Sequence, residues 1–163
     1  MPTTARAKAP TPPRTRYEED YYTWVNEQVE LLRLGRNSEI DTLNVAEELR
    51  SHALREKHLL TEALMHVIKY LLRWDSQPKL RSRNWACEVR IQRLHIAELL
   101  GDSPGLRSVL AKALASGYFY GRCRALAETE IDEDLLPELC PYSFDQIMTR
   151  EIEFIPAGNR KRL

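Results

Sequence analysis

The chain has 163 residues, of which 43% are hydrophobic and 29% are charged, and this is enough for one globular domain with a sizeable core. Its 24 basic and 24 acidic residues give a formal net charge of zero, which removes the simplest argument for a nucleic-acid or membrane-surface protein. No stretch approaches the roughly 20 apolar residues of a membrane span. Three widely spaced cysteines without a CxxC pair indicate neither a disulfide framework nor a zinc site. We therefore expect a cytoplasmic protein with no membrane segment.

The charge is distributed unevenly along the chain. Residues 1–16 carry four basic residues and no acid, and residues 157–163 carry three basic residues and no acid. The intervening residues hold all 24 acids and 17 bases. The proline-rich first segment lacks large apolar groups, so burial cannot offset the entropy cost of ordering it. The predicted organisation is a disordered basic tail over 1–16, a single helical domain over 17–156 and a flexible basic tail over 157–163.

Four segments repeat apolar residues at the three- and four-residue spacing of an α-helix, and none alternates with the period of two typical of strands. Gly35 is placed to end the first segment, and Asp41 is placed to cap the second. The predicted helices span about 18–34, 41–74, 79–100 and 104–128. The apolar stripe of the second comprises Ala46, Leu49, Ala53, Leu60, Leu64, Val67, Leu71 and Trp74. At 1.5 Å per residue this helix is about 50 Å long. We predict an all-α compact bundle around it, with the third helix antiparallel to it.

Two local patterns add detail to this bundle. Gly117 and Gly121 lie one turn apart on the inward stripe of the fourth helix, where each costs about 0.8–1 kcal/mol relative to alanine. That cost indicates close approach by another helix, with a kink as the alternative. Ser143 and Gln146 match a capping box, which predicts a short C-terminal helix.

The sequence contains no complete catalytic or cofactor-binding motif, and the cysteines are interpreted as buried apolar residues. Glu48 with His52, and Glu62 with His66, pair a carboxylate with an imidazole at i,i+4. A rise of about 21 Å separates the two pairs, so they cannot share a metal ion. We predict no cofactor, no metal site and no catalytic residue, and we favour a non-enzymatic protein. A metal-dependent or hydrolytic pocket that includes Glu48 and Arg90 is the enzymatic alternative.

Polar residues in or beside the apolar stripes form one candidate site. Gln28 and Gln92 each interrupt such a stripe, and a buried amide without partners costs about 1–3 kcal/mol. These amides either bond each other or the backbone, or they line a polar pocket. Arg81 projects near a buried stripe, where it needs a carboxylate partner. The candidate polar network comprises Gln28, Glu47, Glu48, Arg81 and Gln92.

A second candidate site is basic. Residues 73–93 carry a net charge of +4 with Trp74 and Trp85 interleaved, a combination suited to phosphate contact and base stacking. Both tryptophans fall on apolar stripes, so they are predicted core residues. Three arginines of the third helix cluster opposite Trp85, as on a solvated face. The candidate binding face comprises Arg83, Arg90 and Arg93.

The order of several short segments resembles a bacterial family known as domain of unknown function 29. The segments are YEEDYYTW (17–24), EQ (27–28), LLRLGR (31–36), AEEL (46–49), W followed by QP (74 and 77–78), RSRNW (81–85), DSP (102–104) and CPYS (140–143). The resemblance covers about 17–156 and implies a compact helical domain, with no established activity, substrate or cofactor. Residues shared with the family pattern are Gln28, Glu47, Glu48, Arg81, Trp85, Arg90, Gln92 and Arg93. Tyr70 stands where relatives often have histidine, and neither tail belongs to the resemblance.

The biochemical function stays open on this reasoning. We expect a non-enzymatic cytoplasmic helical domain that binds another macromolecule, with a protein as the expected partner. The alternative partner is nucleic acid, bound by the arginine face and the basic tails. No membrane partner is expected, and the sequence indicates no oligomeric state.

Overall fold

The computed structural model of the chain describes residues 15–154. Its helices are α1 (Tyr21–Arg33), α2 (Thr42–Ser76), α3 (Arg83–Asp102), α4 (Leu110–Ala127) and α5 (Phe144–Thr149), and no strand occurs in that range. Short 3₁₀ turns lie at Asn37–Glu39, Pro78–Leu80, Pro104–Val109 and Glu133–Leu135. The all-α class, the long second helix and the short last helix are therefore confirmed. Between residues 15 and 154 no helix combines the length and the apolar character that crossing a bilayer requires.

The chain divides after His52, inside α2, into two compact units. The described part of unit 1 is 15–52, and that of unit 2 is 53–154. The predicted tails fall mostly outside the described residues, which begin at Thr15. Thr15 itself is tied into unit 1, because its amide and hydroxyl donate to the Glu27 carboxylate at 3.2 and 3.1 Å.

Local capping groups decide where the first two helices begin. The Asp20 side chain accepts the amide of Thr23 at 3.0 Å, so α1 begins at Tyr21, three residues later than the periodicity suggested. Asp41 accepts the amide of Asn44 at 3.3 Å, as predicted for a cap of α2. Gly35, just past the end of α1, has a φ of 66°, which favours glycine.

The later helices differ from the prediction where turns intervene. Ser82 caps α3 by accepting the amide of Trp85 at 3.3 Å, so the preceding residues form a 3₁₀ turn rather than the first helical turn. The predicted fourth helix begins as a 3₁₀ segment, in which the Ser108 hydroxyl donates to the Gly105 carbonyl at 2.8 Å. The Ser143 capping box at the start of α5 is present as predicted.

Unit 2 contains a hydrophobic core to which α2, α3, α4 and α5 all contribute. At Gly117 a Cβ atom would lie 3.1 Å from the Leu64 Cβ, and at Gly121 it would lie 3.0 Å from the Met65 carbonyl oxygen. The predicted close approach of another helix to these glycines is thus confirmed, and the helix is α2. Of the cysteines, Cys87 and Cys123 are exposed, so their interpretation as buried residues is wrong.

The apolar stripe of α2 is buried only over part of its length. From Leu60 onward its predicted members are buried. Ala46, Leu49 and Ala53 are exposed, with Leu49 at 68%. The prediction that the whole stripe is buried is therefore wrong for its first three members.

Candidate functional site

Unit 1 carries a cluster of aromatic side chains on the first turns of α1 and the residues before it. Tyr21 and Trp24 lie three residues apart on α1 and so share one face of it, and Tyr17 precedes the helix. Trp24 is only 2% exposed, and the Tyr17 ring meets its ring edge to face at a centroid distance of 4.9 Å. The three rings contact one another.

Glu48 of α2 joins this aromatic cluster. Its carboxylate accepts hydrogen bonds from the Tyr17 hydroxyl at 2.5 Å and from the Tyr21 hydroxyl at 2.8 Å. The bond to the carboxylate raises the pKa of Tyr17 to about 12, because it stabilises the protonated phenol. Glu48 therefore positions two tyrosines of the α1 region.

Gln28 connects α1 with the residue that caps α2. It is 4% exposed, and its Oε1 accepts the Asp41 amide at 2.8 Å. This is the backbone partner that the sequence offered as one alternative for a buried glutamine. Gln28 also lines two cavities.

The first cavity, which we call the polar pocket, has a volume of about 360 Å³. Its lining comprises Thr15, Arg16, Tyr17, Glu18, Trp24, Gln28, Ser38, Glu39, Ile40, Asp41 and Asn44. Hydrogen bonds from the side chain and the backbone of Asn44 hold the pKa of Asp41 below its ordinary value, so this carboxyl is ionised near neutral pH. The pocket therefore contains fixed negative charge.

The second cavity, which we call the α1–α2 groove, has a volume of about 200 Å³ and is mainly apolar. Its lining comprises Tyr21, Trp24, Val25, Gln28, Val29, Leu32, Val45, Glu48 and Leu49. Leu32 is 52% exposed, and Leu49 borders the same groove. Trp24 and Gln28 line both cavities of unit 1.

The candidate polar network is divided between the two units. Gln28, Glu47 and Glu48 belong to unit 1, where Glu47 is exposed. Arg81 and Gln92 belong to unit 2, where Gln92 is half-buried. The Arg81 Nε donates to the Trp74 carbonyl at 2.8 Å, and its guanidinium lies over the Trp74 ring. Its hydrogen-bond partner is thus a helix-end carbonyl, where the sequence had suggested a carboxylate.

The three arginines of the candidate binding face differ in exposure. Arg83 and Arg90 are exposed on α3. Arg93 is half-buried, and its Nε donates to the Ile147 carbonyl at 2.6 Å. Burial, together with the nearby charge of Arg150, lowers the pKa of Arg93. Arg93 therefore anchors α5 to α3, and two of the three arginines remain on the exposed surface.

Sequence reasoning missed two long-range ion-pair clusters in the described part of unit 2. Lys69, buried in α2, donates to both carboxylate oxygens of Glu128 at 3.0 Å, and Arg73 donates to the same carboxylate at 3.1 Å. Asp75 accepts two hydrogen bonds from Arg150, at 2.8 and 2.5 Å. These pairs are 55 to 75 residues apart in the chain, so no local sequence signal indicates them.

A further apolar groove of about 560 Å³ lies in unit 2 between α4 and the residues before Tyr142. Phe119 and Leu139 line it and are exposed. Within residues 15–154, no three histidine, cysteine, aspartate or glutamate side chains are grouped so that they could hold a metal ion.

The chain matches a known protein family. The model of the family described as "Domain of unknown function DUF29" matches residues 16–152, which is most of the chain. No curated protein and no solved structure gives a significant match.

Proposed function

Since the chain belongs to the DUF29 family, whose description names no activity, we propose a function from its geometry: it is a cytoplasmic, non-enzymatic protein-interaction module. The α1–α2 groove of unit 1 binds a basic amphipathic helix of a protein partner. The observation that carries this proposal is the exposed Leu49 of α2, which borders the groove together with exposed apolar residues of α1.

Three exposed apolar residues of unit 1 border one groove. Val29, Leu32 and Leu49 are 37%, 52% and 68% exposed and line the same cavity. Single exposed leucines are ordinary, but apolar residues that converge on one groove are typical of interaction sites. Burial of such surface by a partner contributes roughly 25 cal/mol for each Å² removed from water.

The spacing of the lining residues favours a helical occupant. Val25, Val29 and Leu32 follow one another on α1 at intervals of four and three, and Val45 and Leu49 do so on α2 at an interval of four. Two such ridges leave a trough between them, into which the side chains of a third helix pack.

Charge favours a basic partner. The described part of unit 1 contains nine acidic and four basic residues, for a net charge of −5. A cationic helix is attracted to such a surface, and an acidic one is repelled. Nucleic acid, the alternative partner, is supported less well, because Arg93 of the candidate face is engaged with Ile147.

The experiment uses a synthetic helical peptide of about 18 residues, made of leucine and lysine with one apolar face. A peptide with glutamate in place of lysine is the control. We expect the lysine peptide to bind the full chain in titration calorimetry with an affinity that falls as salt rises. Leu49→Ser should weaken binding at least tenfold, because it removes apolar contact from the groove. Leu139→Ser is the matched control, since Leu139 is an exposed leucine of unit 2.

Three results would overturn the proposal. The first is equal binding of the lysine and glutamate peptides. The second is an affinity for the lysine peptide that Leu49→Ser leaves unchanged. The third is a dimer of the purified chain, measured by light scattering, that Leu49→Ser dissociates; a second copy would then occupy the groove.

A further inference from the structure

The polar pocket of unit 1 contains a buried hydrogen-bond donor that has no acceptor. Trp24 is almost fully buried, and its indole Nε1 forms no hydrogen bond with any residue that the structure describes. The Trp24 side chain also helps to lower the pKa of Asp41. Trp24 lines both cavities, whereas Asp41 lines the polar pocket and not the α1–α2 groove. A buried donor without an acceptor is costly, and a ligand oxygen would satisfy it.

The same pocket carries negative charge. Glu18, Glu39 and Asp41 line it, against one base, Arg16. Arg36 pairs with Glu39 through two hydrogen bonds of 2.6 Å, which balances that carboxylate. Asp41 and Glu18 take part in no ion pair within residues 15–154. The pocket therefore offers two carboxylates to a cation and one N–H to an acceptor.

We propose that the polar pocket binds one basic residue of a peptide. Asp41 and Glu18 hold its cationic side chain, and the Trp24 Nε1–H donates to its peptide carbonyl. The adjacent Tyr17 ring supplies an aromatic surface for the alkyl stem or the cation. A volume of about 360 Å³ is within the range of small-ligand sites and accommodates one such residue.

The assignment of this residue to the partner helix rests on the proposed function. The pocket itself does not depend on it, because Leu49 and Leu32 of the groove do not line the polar pocket. A small probe can therefore be tested without the helix.

The probe is Nα-acetyl-arginine amide, titrated into the ¹⁵N-labelled full chain. The chain has three tryptophans, so three indole N–H signals are expected, and Trp24→Phe identifies the signal of Trp24. We expect a saturable shift of that signal alone. Asp41→Asn should weaken binding about tenfold, because it removes the charge while asparagine still caps α2. The matched control is Asp132→Asn, since Asp132 caps a 3₁₀ turn in unit 2.

Three further probes separate the contribution of the positive charge from that of the carbonyl group. The citrulline analogue has the same shape without charge and should bind about tenfold more weakly. Methylguanidinium has the charge without a carbonyl and should shift the Trp24 signal less at saturation. The lysine analogue keeps the positive charge and should bind more tightly than the citrulline analogue.

If the arginine probe binds the Leu49→Ser variant as tightly as the unmodified chain, the pocket is supported even if the helical peptide fails to bind. The inference is overturned by a Trp24 signal that does not shift saturably, by a citrulline analogue that binds as tightly as arginine, or by Asp41→Asn with unchanged affinity. Asp41→Asn and the citrulline probe keep the test decisive if Trp24→Phe folds poorly.

Discussion

Gly121 illustrates how a single residue can determine helix packing in this chain. A Cβ atom there would lie 3.0 Å from the Met65 carbonyl oxygen and 3.3 Å from the Lys69 amide nitrogen. Both atoms belong to the backbone of α2 and cannot rotate away. Glycine at this position therefore allows α4 and α2 to approach each other at the cost of helix propensity.

We expect Gly121→Ala to destabilise the chain by about 1–3 kcal/mol despite the better helix propensity of alanine, because the helices must move apart. Urea unfolding followed by circular dichroism measures this change. Gly101→Ala is the control, since a Cβ at Gly101 meets nothing within 4 Å in α3. It should be neutral or stabilise by up to about 1 kcal/mol. An equal loss of unfolding free energy in Gly121→Ala and Gly101→Ala would contradict the packing argument.

Single polar residues on apolar stripes also needed specific partners. The sequence singled out Gln28 because it interrupts an apolar stripe, and the structure gives it the Asp41 amide as partner. The same reasoning predicted a carboxylate partner for Arg81, whereas its Nε donates a hydrogen bond to the Trp74 carbonyl. A polar residue on an apolar stripe must find a partner. The sequence identifies the residue but not the partner, because the partner belongs to another segment.

At the scale of elements, Asp75 links the last turn of α2 to α5. Arg150, just past α5, donates to its carboxylate at 2.8 and 2.5 Å, and Tyr142 donates at 2.8 Å. Burial acts to raise the pKa of Asp75, but the hydrogen bonds from Arg150 and Tyr142 outweigh it and lower the pKa. The lower folded-state value means that the charged carboxylate stabilises the fold.

This linkage gives a pH-dependent prediction. A carboxyl group whose pKa is lower in the folded state stabilises the fold fully above its unfolded-state pKa of about 3.9. This stabilisation is lost as the pH falls through the folded-state pKa. We expect Asp75→Asn to lower stability near pH 7 by about 1 kcal/mol, since the pair is partly exposed. The difference from the unmodified chain should shrink by about pH 3.

Thermal melts at both pH values test this prediction. Asp145→Asn serves as the comparison, because Asp145 is an exposed acid within α5. A destabilisation by Asp75→Asn that is the same at both pH values would show that the carboxylate charge does not contribute.

Element boundaries show where periodicity is informative and where it is not. The repeat of apolar residues correctly predicted the first four helices, and the Ser143 capping box correctly marked the start of α5. Asp20 and Ser82 moved the starts of α1 and α3 later, because a side chain that accepts an amide of the first turn sets the start of the helix. Stripe position alone did not distinguish a covered residue from an exposed one on α2.

At the scale of the whole molecule, the two units bury very different amounts of side chain. The described part of unit 1 has three buried residues, Trp24, Gln28 and Leu31, whereas unit 2 contains the hydrophobic core. Local opening is cheapest where few apolar side chains are buried.

We therefore expect the amides of α1 to exchange with deuterium at least about tenfold faster than those of α4, although both helices are hydrogen-bonded. Hydrogen exchange with mass spectrometry on the full chain measures the two rates. The leucine–lysine peptide should slow exchange in α1 and leave α4 unchanged. Equal protection of α1 and α4 in the free chain would contradict this prediction.

The sequence alone determined the local features of this protein: the helical period, the caps at Asp41 and Ser143, and the glycines that admit α2. It also indicated the family, because the order of the short motifs can be recognised in the sequence alone. Tertiary structure decided which side chains meet over long separations, such as Asp75 with Arg150, and left the first third of the α2 stripe uncovered. The physical reason is that periodicity and capping act within a few residues of the chain, whereas partner choice and burial depend on which distant segment packs alongside.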